Sequence, residues 1–147
     1  MYKHLFVPVD GSELSLRAMD GSLALAKQLG ARVTGFVVEP DLPLSVTSGS
    51  AATFSARVQA HEDHNEAHAT ALLAKFADRA AQAGVEFTAS HVTAPSVDQA
   101  IADEADRAGC DMIVMVTHGR GTMGELLFGS HTKAVIARTK LPLFVLH

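Results

Sequence analysis

The sequence predicts an α/β domain in which a parallel sheet is covered by helices on both faces. Three observations carry this. Short apolar segments of strand length recur at residues 5–9, 33–38, 85–92, 112–116 and 141–146. Segments with apolar residues at helical spacing lie between them, which calls for parallel strands joined by right-handed crossovers. The two sharpest turns, Asp10-Gly11-Ser12 and the glycine-rich stretch beginning near Gly119, both follow strand carboxyl ends, where ligands bind in such sheets. A length of 147 residues fits one domain with a proper core.

Each element has a local reason. Leu5-Phe6-Val7-Pro8-Val9 reads as a strand buried on both faces. Pro8 belongs at its carboxyl end, because a central ladder has no use for a missing N–H. Ser12 is an N-cap for a helix to about Leu29, with Leu16, Met19, Leu23 and Ala26 on one face and Gly30 as its stop. The second strand is closed by Pro40 and Pro43, and residues 41–53, rich in Ser, Gly, Pro and Thr, read as a loop. A long helix then covers residues 55–83, polar in its first half and carrying Leu72, Leu73, Phe76 and Ala80 at helical spacing in its second. The third strand alternates apolar and polar residues and is the more exposed one. Ser96 caps a helix over 97–108, and a last helix covers 131–138 before the closing strand.

Composition narrows the function. A net charge of −4 disfavours a nucleic-acid or acidic-membrane partner, which wants a basic face. No apolar run approaches the roughly 18 residues of a membrane span, and the apolar run at the start is too short for a signal peptide and contains Pro8. A soluble, cytoplasmic protein is the expectation. Cys110 is the only cysteine, so no internal disulfide is available, and its place before an apolar strand predicts a small buried core residue.

The chemistry concentrates in Met115-Val116-Thr117-His118-Gly119-Arg120-Gly121-Thr122-Met123-Gly124, which runs on to Gly129-Ser130. Glycines between a strand and a helix let backbone N–H groups approach an anion at a positive helix N-terminus. Gly119, Gly121 and Gly124 spell G-x-G-x-x-G. A dinucleotide site nevertheless does not follow. That fingerprint opens a βαβ unit with an acidic residue about 20 positions on, and no Asp or Glu follows Glu125. A Walker-type loop is absent as well.

The same segment resembles the universal stress protein family. Its Thr-His-Gly-Arg is followed by nine residues between Gly119 and Gly129, then by Ser130 and a terminal strand. The opening Val7-Pro8-Val9-Asp10-Gly11-Ser12-Glu13 and the closing Leu141-Pro142-Leu143-Phe144-Val145 are similar to that family's first and last strands. The resemblance spans essentially all of residues 1–147. It implies a five-stranded parallel sheet of order 3-2-1-4-5, homodimers paired through the C-terminal strand, and a stress-response role. It also implies a site for ATP with Mg²⁺, any hydrolysis being slow and incidental and no residue being catalytic. On the first two strands that site takes Pro8, Val9, Asp10 and Val37, with Asp10 on the phosphate-metal side and Val37 meeting adenine through its backbone. On the later part it takes Met115, Val116, Gly119, Arg120, Gly129, Ser130, His131 and Thr132.

Val116 departs from the family's G-x-x-G-x9-G-S pattern, standing where the first glycine belongs. A β-branched residue there resists positive φ and obstructs the ribose; alternatively it extends the strand and points into the core. If the loop is structural only, the chain is a dimeric interaction protein without nucleotide. His61, His64 and His68 share one helical face; the spacing suits Zn²⁺, and equally a solvated polar face beside a loop. His118, inside the glycine segment, has no identifiable nucleophile to serve, and reads as structural or phosphate-contacting.

Overall fold

The apolar segments form strands β1 (His4–Pro8), β2 (Arg32–Pro40), β3 (Phe87–Ala94), β4 (Met112–Val116) and β5 (Leu143–Leu146). Helices α1 (Glu13–Leu29), α2 (Ala51–Ala83), α3 (Val97–Arg107) and α4 (Ser130–Arg138) join them. These elements are seen in a computed structural model that describes residues 1–41, 49–117 and 130–147. All strand pairs are parallel, in the order β3-β2-β1-β4-β5. The expected architecture and strand order both hold.

Alternation along each strand sorts the core into two layers. Leu5, Val7, Val33, Val37, Met112 and Val114 face α1 and α2, where Met19, Leu23, Leu73 and Phe76 meet them. Phe6, Phe36, Ile113 and Met115 face α3 and α4, against Ile101, Ala105 and Val135. Because the central strands are covered on both sides, they read as unbroken apolar runs. Gly35 of β2 is there for close approach: a Cβ at that position would lie 2.6 Å from the Phe87 ring and 2.7 Å from the Phe76 ring. Those two rings pack at 4.8 Å between centroids over the space it leaves.

Several boundaries differ from the sequence expectation, each for a local reason. Leu16 is 36% exposed, because α1 turns Ser15, Ala18, Met19, Ser22, Leu23 and Ala26 inward instead. Ser12 stands at the N-cap of α1 without a side-chain cap bond. The loop expected to reach residue 53 ends sooner: Ser50 caps α2, its Oγ accepting from the Thr53 N–H at 3.3 Å. β3 starts at Phe87, since the Val85 N–H bonds to Ala80 O at the end of α2. β5 starts at Leu143, Pro142 contributing only its carbonyl, to the Ile113 N–H. Cys110 is buried, as expected. Among the described residues no helix is long and apolar enough to cross a membrane.

Candidate functional site

From β1 the chain steps outward to β2 and β3, then returns to place β4 on the other side of β1. The carboxyl ends of β1 and β4 therefore flank the point where strand order reverses, the favoured ligand position in an open α/β sheet. The Asp10 turn follows β1, and the glycine segment follows β4.

The Asp10 turn is held by a residue that the sequence reading did not single out. Buried Ser15 receives the N–H groups of Asp10 and Gly11 on its Oγ, both at 3.0 Å, and donates its own proton to Asp10 Oδ1 at 3.0 Å. The Ser12 N–H donates to the same Oδ1 at 2.9 Å. Gly11 completes the turn with φ +83°, a conformation that side chains resist. Partial burial pushes the Asp10 carboxyl up, but the hydrogen bonds from Ser12 and Ser15 outweigh it and hold the group below its usual range. Asp10 is thus anionic at neutral pH, and its Oδ2 accepts no hydrogen bond among the described residues.

That oxygen fits a hard divalent cation. Mg²⁺ commonly takes one or two carboxylates, several waters and substrate phosphates. Among the described residues no group of three His, Cys, Asp or Glu side chains forms a protein cage.

On the β1 and β2 side, Pro8 pairs with Phe36, and the Val9 N–H extends the ladder to Phe36 O at 2.8 Å. Val37 is buried with its side chain in the core, which leaves only its backbone for a ligand. On the β4 side, Met115 faces the α3/α4 layer and Val116 the α1/α2 layer. Val116 pairs with Leu146 and is half-buried: it extends the strand and packs on the core, the second of the two readings its sequence position allowed. Thr117 prolongs the pairing, its N–H donating to Leu146 O at 3.0 Å. His118, Gly119, Arg120 and Gly129 lie outside the described residues. Ser130 opens α4. His131 is exposed and lies 3.8 Å from Asp98 of α3, while Thr132 is only 2% exposed.

Among the described residues the histidine face of α2 forms no three-ligand metal cluster, and it is not a fully solvated surface. His64 is exposed. His61 Nε2 lies 2.9 Å from Pro40 O, which also accepts from Asn65 Nδ2 at 3.1 Å. His68 Nδ1 is hydrogen-bonded to Glu39 Oε1. The two histidines thus engage separate acceptors at the end of β2. Ser15, Glu39 and the orientation of His68 escaped the sequence reading, because each acts through a contact that periodicity does not report.

Comparison with known proteins agrees with this layout. A universal stress protein of Methanocaldococcus jannaschii is 28% identical over 147 residues, 99% of this chain and 82% of that protein. A universal stress protein solved in complex with cAMP superposes with a TM-score of 0.70 at 24% identity, covering 99% of this chain and 97% of the other. The Archaeoglobus fulgidus universal stress protein in complex with dAMP gives 0.68 at 21% identity, covering 99% and 98%. The sequence profile of the Universal stress protein family matches residues 1–147, and the chain belongs to that family.

Proposed function

We propose that the chain binds an adenine nucleotide, ATP with Mg²⁺, in the crevice between the Asp10 turn and the glycine segment, and acts as a nucleotide-dependent stress-response factor in the cytoplasm. One observation carries this reading: an anionic carboxylate, whose Oδ2 accepts no hydrogen bond among the described residues, stands on a hydrogen-bonded turn at the reversal point of the sheet. The cAMP and dAMP complexes of its relatives support adenine as the base. Pro8, Val9 and the Val37 backbone form the nucleoside side of the site, together with Met115 and Val116. Gly119, Arg120, Gly129, Ser130, His131 and Thr132 belong to the phosphate side. Bound Mg²⁺ would neutralise phosphate charge, and Asp10 would hold it.

The proposed activity is binding, any hydrolysis being slow and incidental. Chromatography of ligand released by heating the purified protein, with calorimetry of ATP and Mg²⁺, tests this. Adenine nucleotide in the supernatant or a saturating heat signal is expected; empty protein with no heat overturns it.

A second reading rests on Val116 and β5. Val116 packs as an ordinary strand residue, and β5 is an edge strand of half-exposed apolar residues with Phe144 40% exposed. Such an edge invites pairing with another chain. Homodimerisation through β5 belongs to both readings; the second dispenses with nucleotide. Sedimentation of the wild type and of Phe144→Glu checks the pairing, with a dimer expected for the first and a monomer for the second.

A further inference from the structure

The crevice has a third side, formed by α2, to which the glycine pattern gives no clue. Glu39 is the penultimate residue of β2, on the α1/α2 face of the sheet, and its side chain is 10% exposed. Its hydrogen-bond partner there is His68 Nδ1. A carboxylate accepts, so Nδ1 carries a proton, and in the neutral tautomer of that ring the lone pair is on Nε2. That second nitrogen is on the open side, in a side chain 43% exposed. It makes no hydrogen bond among the described residues, and it points at the Asp10 turn. A Cβ at Gly11 would sit 3.0 Å from Nε2 and 3.5 Å from Cε1. Only a residue without a side chain lets the ring come so near. His61 and Asn65, two turns and one turn away on the same face of α2, both engage Pro40 O and anchor the helix over the strand end.

The turn that His68 faces does not resemble an anion cradle. Its Asp10 and Gly11 amides are bound to Ser15 Oγ, and its Ser12 amide to Asp10 Oδ1. What remains on offer is acceptors: Asp10 Oδ2 and His68 Nε2. With Asp10 Oδ2 given to Mg²⁺, His68 Nε2 is the acceptor left beside the Glu39 carboxylate, and it suits a hydroxyl or amine rather than a phosphate oxygen.

We propose that His68, oriented by Glu39, contacts the nucleoside part of the bound nucleotide, accepting a hydrogen bond at Nε2 from a ribose hydroxyl or the adenine amine. The inference rests on the nucleotide-binding reading above. Glu39 is then a positioning residue, acting through the ring that it holds.

Calorimetry with adenosine, AMP and Mg-ATP on the full chain tests it. His68→Ala weakens all three by the same factor, about 3- to 10-fold, the range for one neutral hydrogen bond. His68→Asn keeps an N–H donor near the Nδ1 position for Glu39 and lacks Nε2, so it retains wild-type thermal stability but binds like His68→Ala. In the wild type, the His68 Cε1–H resonance moves on adding adenosine alone. Equal affinity in wild type and His68→Ala overturns the proposal, as does a loss confined to AMP and Mg-ATP, which marks a phosphate contact. Failure of the wild type to bind any of the three removes the nucleotide reading itself, and this inference with it.

Discussion

The two ends of the sheet carry similar polar residues in opposite states. At the amino end, His4 is buried, with Nε2 2.7 Å from Thr34 Oγ1 and Nδ1 without a partner among the described residues. Burial, helped by Arg32, pushes its pKa down. Burial also pushes the neighbouring Cys110 thiol up to about 11. Asp111 closes that end by accepting the Lys3 and His4 N–H groups at 2.8 and 3.1 Å. At the carboxyl end, Asp10 is held anionic and His68 is held by one nitrogen, and the second oxygen and second nitrogen make no hydrogen bond among the described residues. Burial at the amino end favours the neutral forms of His4 and Cys110; the carboxyl end orients Asp10 and His68 and leaves an atom of each unbonded among the described residues. Function belongs where hydrogen bonds orient polar groups and leave them available, and stability where burial makes them inert.

The strongest way to break this contrast is to remove the core that holds both ends. Phe76→Ala takes away a ring with no exposure that packs over Gly35 beside Phe87. It costs about 3–5 kcal/mol by urea denaturation and lowers binding and stability together.

Ser15→Ala acts at the carboxyl end alone. Two amides and a carboxylate oxygen lose their common partner, a destabilisation of about 1–3 kcal/mol, and the loosened turn weakens Mg-ATP binding in the same preparation. Unchanged stability in Ser15→Ala would show that the turn does not depend on that hydroxyl.

At the amino end the lever is pH. The His4 pKa is lower in the folded chain than its ordinary value of 6.5, so below that value the unfolded chain binds the proton more readily. Stability attached to this site is therefore complete above pH 6.5 and declines as pH falls below it. His4→Gln, which places an amide nitrogen near Nε2, flattens the acid limb of a melting-temperature profile without changing nucleotide affinity at pH 8.

Asp10→Asn separates charge from architecture. The amide keeps an oxygen for Ser12 and Ser15, so stability shifts by less than about 1 kcal/mol, while the Mg²⁺-dependent part of ATP binding disappears from the calorimetric trace. The smallest response belongs to Cys110: with its thiol pushed up to about 11 and buried, the native protein reacts with a thiol reagent at pH 8 far more slowly than the urea-unfolded chain.

Much of this was legible beforehand, because it rests on patterns that local physics writes into neighbouring residues. Pro8 at a strand end, Gly30 and Gly84 after helices, and apolar runs in β1 and β4 each report their own backbone. Asp10 was legible as a carboxylate at a strand carboxyl end. Leu16 misled, since one residue of helical rotation separates it from Ser15, and Ser15 faces inward to hold the turn. The α2 histidines misled in a different way: helical spacing puts them on one face but says nothing of what that face meets.

Apolar periodicity, chain length and the spacing of the turn residues by themselves determined the α/β class, the order of its elements and the membership of Asp10 in a strand-end turn. Tertiary structure alone decided that Ser15 would lock that turn, that Val116 would pack as a strand residue, and that Glu39 would capture His68 from 29 positions away. The physical reason is range. Backbone preference and periodicity act over a few residues and leave their mark in sequence, whereas a hydrogen bond between a strand end and a distant helix exists only once the sheet has brought the two together.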